Sequence, residues 1–364
     1  MKIILSYSSE HDKSEGIHYV NVLRRMGHEV VIVNVAACSD GMRSKRTFVC
    51  GYPGDLHIAE LLEQTGPAQL FLYIEPFGLI PQGMESAPMP TACILSDCHL
   101  NLPSRISLGK LFDHVFIYQR NFLDAFKFHP SVHWMPYACD VNFFRDMEIP
   151  RDLDIGFVGQ TGSGHTRRRK ILDVLSRKYR VNEQRVYKQS EISEIYSRSK
   201  ITVNIPIRGD LNFRFFEAIS CGSLLVTERL NNGQEELCQE DVHYVAYDSE
   251  NELLEKVDYY LKNEDERLRI AQAGKDKVLK NHTLEIRLQG LLEKITLASN
   301  ETLAPIRQMS ESNRVRIYGS YYERAGYVNT MLKLAGREAT QNISRCLYLA
   351  FALKSFLRRT YLRW

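Results

Sequence analysis

"DLNFRFFEAISCGSLLVTE", residues 210–228, sets Arg214 and Glu217 inside a run that is otherwise mostly aromatic, aliphatic or small. Residues 213–220 carry the spacing of a core helix, Gly222 allows the tight turn after it, and 224–228 form an apolar run of strand length. Helices that feed buried strands in this way build parallel sheets covered by helices. A carboxylate in such a helix must be paired, hydrogen-bonded or open to a cleft, because burying it alone is expensive. Arg214 lies one helical turn from Glu217 and is the counter-charge within reach.

The same alternation extends outward in both directions. "DIGFVG" (154–159), "RRRKILDVLSRKY" (167–179), "EISEIYSRS" (191–199), "KITVNIP" (200–206) and "HYVAY" (243–247) read as strand, helix, helix, strand and strand, closed by helices over 249–263 and 264–281. Upstream, "KIILSY" (2–7), the helix and strand of 16–35, "AQLFLYIEP" (68–76), "TACILSD" (91–97), "HVFIYQ" (114–119) and "VHWMPYA" (132–138) repeat the pattern. The polar, proline-containing "MEIPRDLD" (147–154) separates the two series. The expected fold class is α/β: two tandem Rossmann-like domains, 1–148 and 149–297, facing a central cleft, with a helical C-terminal extension over 298–364.

The 364 residues are enough for two cores, and 44% apolar with 25% charged residues is a globular composition. A formal net charge of +3 gives no sign of nucleic acid. Residues 301–364 hold eleven Lys/Arg against four Glu, so 1–300 sum to −4 and the basic charge sits in the tail. Its last twenty residues, "RCLYLAFALKSFLRRTYLRW" (345–364), have five basic and no acidic side chains among Leu347, Leu349, Phe351, Leu353, Phe356 and Leu357. Two readings stay open: an amphipathic helix at an anionic membrane surface, or a final helix packed on the first domain. The eight cysteines show no zinc spacing, and neither a signal-peptide core nor an 18-residue apolar span is present. A cytoplasmic protein with reduced thiols is expected, peripheral to the inner face of the cell membrane if the tail binds lipid.

"DIGFVGQTGSGHTRRRKIL" (154–172) places a glycine-rich loop between strand and helix, where amides and a helix N-terminus converge on one anion-sized spot. Gly159 to Thr166 nearly spells a nucleotide P-loop, but His165 replaces the lysine that reaches the β/γ-phosphates. Arg167, Arg168 and Arg169 at the helix start oppose its dipole, which makes sense if an anion such as a diphosphate sits between them and the amides; a solvated basic turn is the plain reading. Asp152 and Asp154 form a D-x-D in the linker, with little weight as a metal site. Asp97 and His99 end a strand, where ligands of open α/β sheets bind, and could act as base or orient an acceptor hydroxyl; an Asx-turn with a surface His accounts for them equally well.

Together, "DIGFVG…RRRKIL", "YSRSKITVNIP…DLNFRFFEAISCGSLLVTE", "NGQEEL", "YDSENELLEKVDYYLKNEDERLRIAQAGKDKV" and "HTLEIR" resemble the second domain of GT-B glycosyltransferases, in the spore-maturation CgeB-like branch related to retaining family 4. The resemblance covers 154–297. It implies transfer of a sugar from a nucleotide-diphosphate donor to a hydroxyl of a glycan, lipid-linked or protein acceptor, in cell-surface or secreted glycan synthesis. No metal or other cofactor is implied, only the nucleotide sugar as co-substrate. By the resemblance Glu217 binds ribose or donor-sugar hydroxyls and Arg167 or Arg168 neutralises the leaving diphosphate. Asn212 and Arg214 line the donor pocket, with Gly159 and Gly222 allowing close backbone approach. Family 4 enzymes usually carry a second acid eight residues before that Glu; here position 209 is glycine. This keeps open a non-catalytic GT-B-like protein that binds nucleotide sugar or a partner.

Overall fold

The computed structural model describes residues 1–7, 16–35, 48–51, 56–75, 78–162, 164–298, 304–325, 327–336 and 342–361. The chain forms two compact units, Met1–Met135 with Leu291–Trp364, and Pro136–Gly290.

The first unit contains β1 (Lys2–Ser6), α1 (Gly16–Arg25), β2 (Glu29–Val35), β3 (Phe48–Gly51), α2 (Ile58–Thr65), β4 (Leu70–Ile74), β5 (Thr91–Leu95), α3 (Leu102–Gly109), β6 (His114–Ile117) and β7 (Val132–Trp134). All seven strands are parallel, in the order β3-β2-β1-β4-β5-β6-β7. β4, β5 and β6 are buried along their whole length, which is why they read as continuous apolar runs without alternation. Strand order reverses between β1 and β4, so the crevice of this sheet lies beyond Ser6 and Glu75. β3 and α2 were not expected, although Ile58, Leu61 and Thr65 of α2 fall on one buried face at helical spacing and His57 with Glu60 forms a capping box.

The second unit contains β8 (Leu153–Gly156), α4 (Thr166–Ser176), α5 (Gln189–Arg198), β9 (Ser199–Asn204), α6 (Phe213–Ser220), β10 (Leu224–Glu228), the short α7 (Gln234–Leu237), β11 (Val245–Tyr247), α8 (Glu250–Lys262) and α9 (Glu264–Asn281). Its four strands are parallel in the order β8-β9-β10-β11. Ile155 pairs with Ile201 of β9 on one side and with Val181 on the other. The chain therefore leaves β8 in one direction and returns on the opposite flank, which puts the reversal at the strand that ends in the glycine-rich loop.

α10 (Leu284–Leu297) leads out of the second unit, and α11 (Glu311–Ala325), α12 (Val328–Gly336) and α13 (Asn342–Tyr361) belong to the first. The helices expected as an extension over 298–364 thus share the core of the first sheet: Tyr318, Tyr322, Met331 and Tyr348 pack in one cluster with Phe71, Tyr73 and Phe112. Burying one such ring fully stabilises by about 2 to 3 kcal/mol. Asp113, before β6, fastens the entry to this segment. It accepts from Thr91 N and Oγ1 (both 2.9 Å), Ala304 N (2.7 Å) and Arg307 Nε (3.0 Å) and Nη2 (3.1 Å). α13 packs on α11 and α12 through Ser344, Tyr348, Ala352 and Ser355, close enough at Gly319 that an added Cβ would strike the Phe351 ring. The packing reading of the tail therefore holds for one side of α13. Among the described residues no helix is long and apolar enough to cross a membrane.

Candidate functional site

In the second unit the segments after β8 and β9 meet around two buried arginines. Asn182 clamps the first residue beyond β8, accepting from Phe157 N (2.7 Å) and donating to its carbonyl (2.9 Å). The Phe157 ring is then held under both guanidinium groups, with Arg214 Cζ 4.6 Å and Arg168 Cζ 5.7 Å from its centroid. Arg214, from the first turn of α6, donates to Val158 O through Nε (2.8 Å) and Nη2 (2.5 Å) and to Asn204 Oδ1 through Nη1 (2.7 Å). Arg168, from the first turn of α4, donates to Ile205 O (2.8 Å) and Gln160 O (3.3 Å). Neither has a carboxylate partner among the described residues. Burial, then the neighbouring Arg214, depress the Arg168 guanidinium to about 10. Two cations facing only neutral oxygens leave an uncompensated positive charge at the end of β8, next to the loop amides.

Gly159 belongs to the same spot: an added Cβ would overlap the Arg214 guanidinium and lie 3.0 Å from the Phe157 ring. The glycine is required by this approach. Asn212 stands at the N-cap position of α6 without a side-chain capping bond, donates to Asn204 Oδ1 (3.2 Å) and leaves its own Oδ1 buried with no partner among the described residues. Asn204 is the hub of the group; it also donates to Thr227 Oγ1 (3.1 Å), and its carbonyl accepts from Tyr247 Oη (3.0 Å).

Glu217, half-buried on α6, forms no ion pair with Arg214 and no side-chain hydrogen bond with a described residue. Arg214, expected as its counter-charge, is turned instead to Val158 and Asn204. Burial raises the Glu217 carboxyl to about 7, with Arg214 pulling the other way. The carboxylate is available to accept hydrogen bonds from a ligand.

Arg167 stands apart. It pairs with Glu228 at the end of β10 (2.8 Å) and Glu250 at the start of α8 (3.3 Å) and is 44% exposed. Arg169 donates to Thr161 O (3.2 and 3.1 Å). Gly222 sits at the far end of α6 with φ +75°, where a Cβ would lie 2.6 Å from Asp146 and 2.7 Å from Arg151; it makes the turn into β10 and is not gathered with Gly159. Asp152 and Asp154 flank the start of β8, opposite the glycine loop, and are taken up by Arg198 (2.8 Å) and Lys200 (2.8 Å). Gly209 has φ +71°, its carbonyl accepts from Asn232 Nδ2 (2.8 Å), and a Cβ there would meet nothing within 4 Å.

In the first unit, Asp97 and His99 follow β5 and approach each other, Oδ1 to Nε2, at 4.0 Å. Asp97 has φ +52°, a conformation that non-glycine residues seldom adopt and that recurs at functional sites. Buried Glu75, at the end of β4, holds this strand end through Ser96 N (3.2 Å), while Arg105 binds both Glu75 (2.8 Å) and Ser96 O (3.0 Å). Glu75, Arg105, Asn182 and Asn204 escaped the sequence reading. The signal for Glu75 and Asn204 was a polar residue closing an otherwise apolar strand, in "FLYIE" and "ITVN".

Residues 148–293 match the family model described as Glycosyl transferase-like. No curated protein matches the chain. Among solved structures, the chain is similar to sucrose-phosphate synthase from Thermosynechococcus elongatus, at 11% identity over 82% of this chain and 100% of that one, with a TM-score of 0.59. It is similar to Anabaena Alr3699/HepE, solved with UDP and glucose, at 13% identity over 82% and 100%, with a TM-score of 0.59. An alpha-glucosyltransferase solved with UDP and a 13-mer DNA shares 12% identity over 81% and 99%, with a TM-score of 0.60. At these identities the likeness is one of fold: the chain has the α/β GT-B architecture.

Proposed function

We propose that this protein is a glycosyltransferase that moves a sugar from a nucleotide-diphosphate donor to an acceptor hydroxyl, within the CgeB-like branch and without a bound metal. The observation that carries this reading is the pair of buried arginines, Arg168 and Arg214, facing neutral oxygens beside the Gly159 loop. Such a pair suits a leaving diphosphate, whose developing charge guanidinium groups and loop amides stabilise in place of a cation. Glu217, with a carboxylate that no described residue occupies, accepts from donor hydroxyls, and Asn212 offers a further acceptor in its unpartnered Oδ1. Asp97 and His99 act on the acceptor hydroxyl, from a strand end whose Ser96 backbone is fixed by Glu75 and Arg105. The neighbours solved with UDP or with UDP and glucose support a nucleotide-sugar donor. Synthesis of a cell-surface or secreted glycan from the cytoplasmic side completes the reading.

Gly209 favours a second reading. Open space and a left-handed backbone stand where family 4 enzymes place an acid, as expected of a nucleotide-sugar-binding protein without turnover. A panel of nucleotide sugars incubated with the purified chain decides between them. Transfer or hydrolysis of one donor is expected, reduced about a hundredfold or more by Arg168→Ala and by Glu217→Ala without loss of folding. Tight nucleotide binding with no turnover of any donor would establish the second reading.

A further inference from the structure

α13 is apolar on two sides, and only one of them is used. Its inner stripe of Ser344, Tyr348, Ala352 and Ser355 is buried against α11 and α12. At about 100° per residue, Ile343, Cys346, Leu349, Leu353, Phe356 and Leu357 share the opposite side. The five large ones among them are 44% to 65% exposed. Isolated exposed apolar residues are ordinary, but a continuous arc along four turns of one helix marks a binding surface. Residues 343–364 contain five basic and no acidic residues. Lys354 is 65% exposed at the edge of the arc, reaching Glu323 at 3.0 Å.

We propose that the outer face of α13 docks on an anionic lipid bilayer, with the arc from Ile343 to Leu357 lying in the headgroup boundary and the basic residues of the helix meeting lipid phosphates. Charge selects this occupant. In a two-fold pairing of two copies, the basic residues of one helix would meet those of the other, and neither helix carries an acidic residue to offset them. A bilayer rich in anionic lipid supplies both the apolar phase and the counter-charge, as interfacial amphipathic helices require. Packing of the inner stripe removes the cost of folding the helix at the membrane, because the helix is already formed. This inference goes beyond sugar transfer and does not depend on it.

Flotation of the full chain tests it, with vesicles of phosphatidylcholine alone and of phosphatidylcholine mixed with phosphatidylglycerol. Binding to the anionic vesicles is expected to exceed binding to the neutral ones about tenfold or more and to weaken as salt is raised. Leu353→Glu with Phe356→Glu abolishes flotation while leaving the melting temperature unchanged, since both side chains are exposed. Leu353→Gln with Phe356→Gln is the milder pair should the acidic one disturb folding. Absence of flotation, equal binding to both vesicles, or a dimer in solution that these substitutions dissolve would each overturn the proposal.

Discussion

Arg168 and Arg214 share one aromatic ring: both guanidinium groups lie within 6 Å of the Phe157 centroid, and every hydrogen-bond acceptor they reach among the described residues is neutral. Each makes the other costly, so an anion that fits between them relieves a repulsion already present in the fold.

Removal of one charge separates the two roles. Arg168→Met should lower the unliganded melting temperature less than Arg214→Met does, because it gives up only its bonds to Ile205 O and Gln160 O while removing the same buried repulsion. The upward shift given to the wild type by a nucleoside diphosphate should vanish. Arg214→Met, which strands Val158 O and Asn204 Oδ1, should lower stability by about 2 kcal/mol. Thermal-shift curves with and without nucleotide distinguish these outcomes; equal destabilisation by both variants would make Arg168 a structural residue.

Glu217 predicts the pH dependence of donor binding. Its carboxyl, raised to about 7 from an ordinary 4.5, is protonated in part at neutral pH, and only the carboxylate accepts two hydroxyls at once. Affinity for a nucleotide sugar should rise between pH 6 and pH 8 and become flat in Glu217→Gln. The linked effect on folding has the opposite direction: the folded chain holds this proton more tightly, so stability falls as pH rises through about 7. Calorimetric titrations at several pH values check the first and melting curves of the variant the second.

Acid sensitivity should come from a histidine group in the first unit. His114 Nδ1 and His133 Nε2 both meet Ser131 Oγ (2.8 and 3.0 Å), and His129 Nε2 meets Phe112 O (2.8 Å). Burial lowers all three, His133 to about 4 with Lys294 adding to it. With folded values below the unfolded 6.5, their contribution is intact above that pH and is lost as pH falls toward 4. Urea unfolding at pH 7 and pH 5 should show the loss, and His133→Phe should reduce it.

Asp113 should be the costliest acid to remove. Asp113→Ala leaves Arg307 without its carboxylate and Thr91 N and Ala304 N without their acceptor, for about 3 to 5 kcal/mol. Hydrogen exchange across 304–309 should accelerate before the rest of the unit opens.

Legibility in the sequence followed the physics of each element. β8 to β11 and the longer helices between them announced themselves because buried parallel strands are unbroken apolar runs and those helices carry clear three-and-four spacing. Gly159 and Arg168 could be named because a glycine loop followed by three arginines is conspicuous, whereas Asn212 and Arg214 entered as site residues only through the family resemblance. Direction was not readable: helical spacing put Arg214 one turn from Glu217, yet its guanidinium turns to Val158 O, since two backbone bonds and Asn204 are nearer partners. Arg167 and Arg168 were interchangeable in sequence, and only the rotation of α4 sends one to Glu228 and the other to Ile205 O. For the same reason α13 carried two readings, because a helix apolar on both sides satisfies each of them.

The second unit is entered at Pro136 and left at Gly290, and the helices that follow return to the first sheet. In recombination terms it is a cassette with two splice points and a permanent frame. Exchange of the second unit between relatives would have to cut the gene twice, near codons 136 and 290, and a single crossover would hand the first sheet another protein's closing helices.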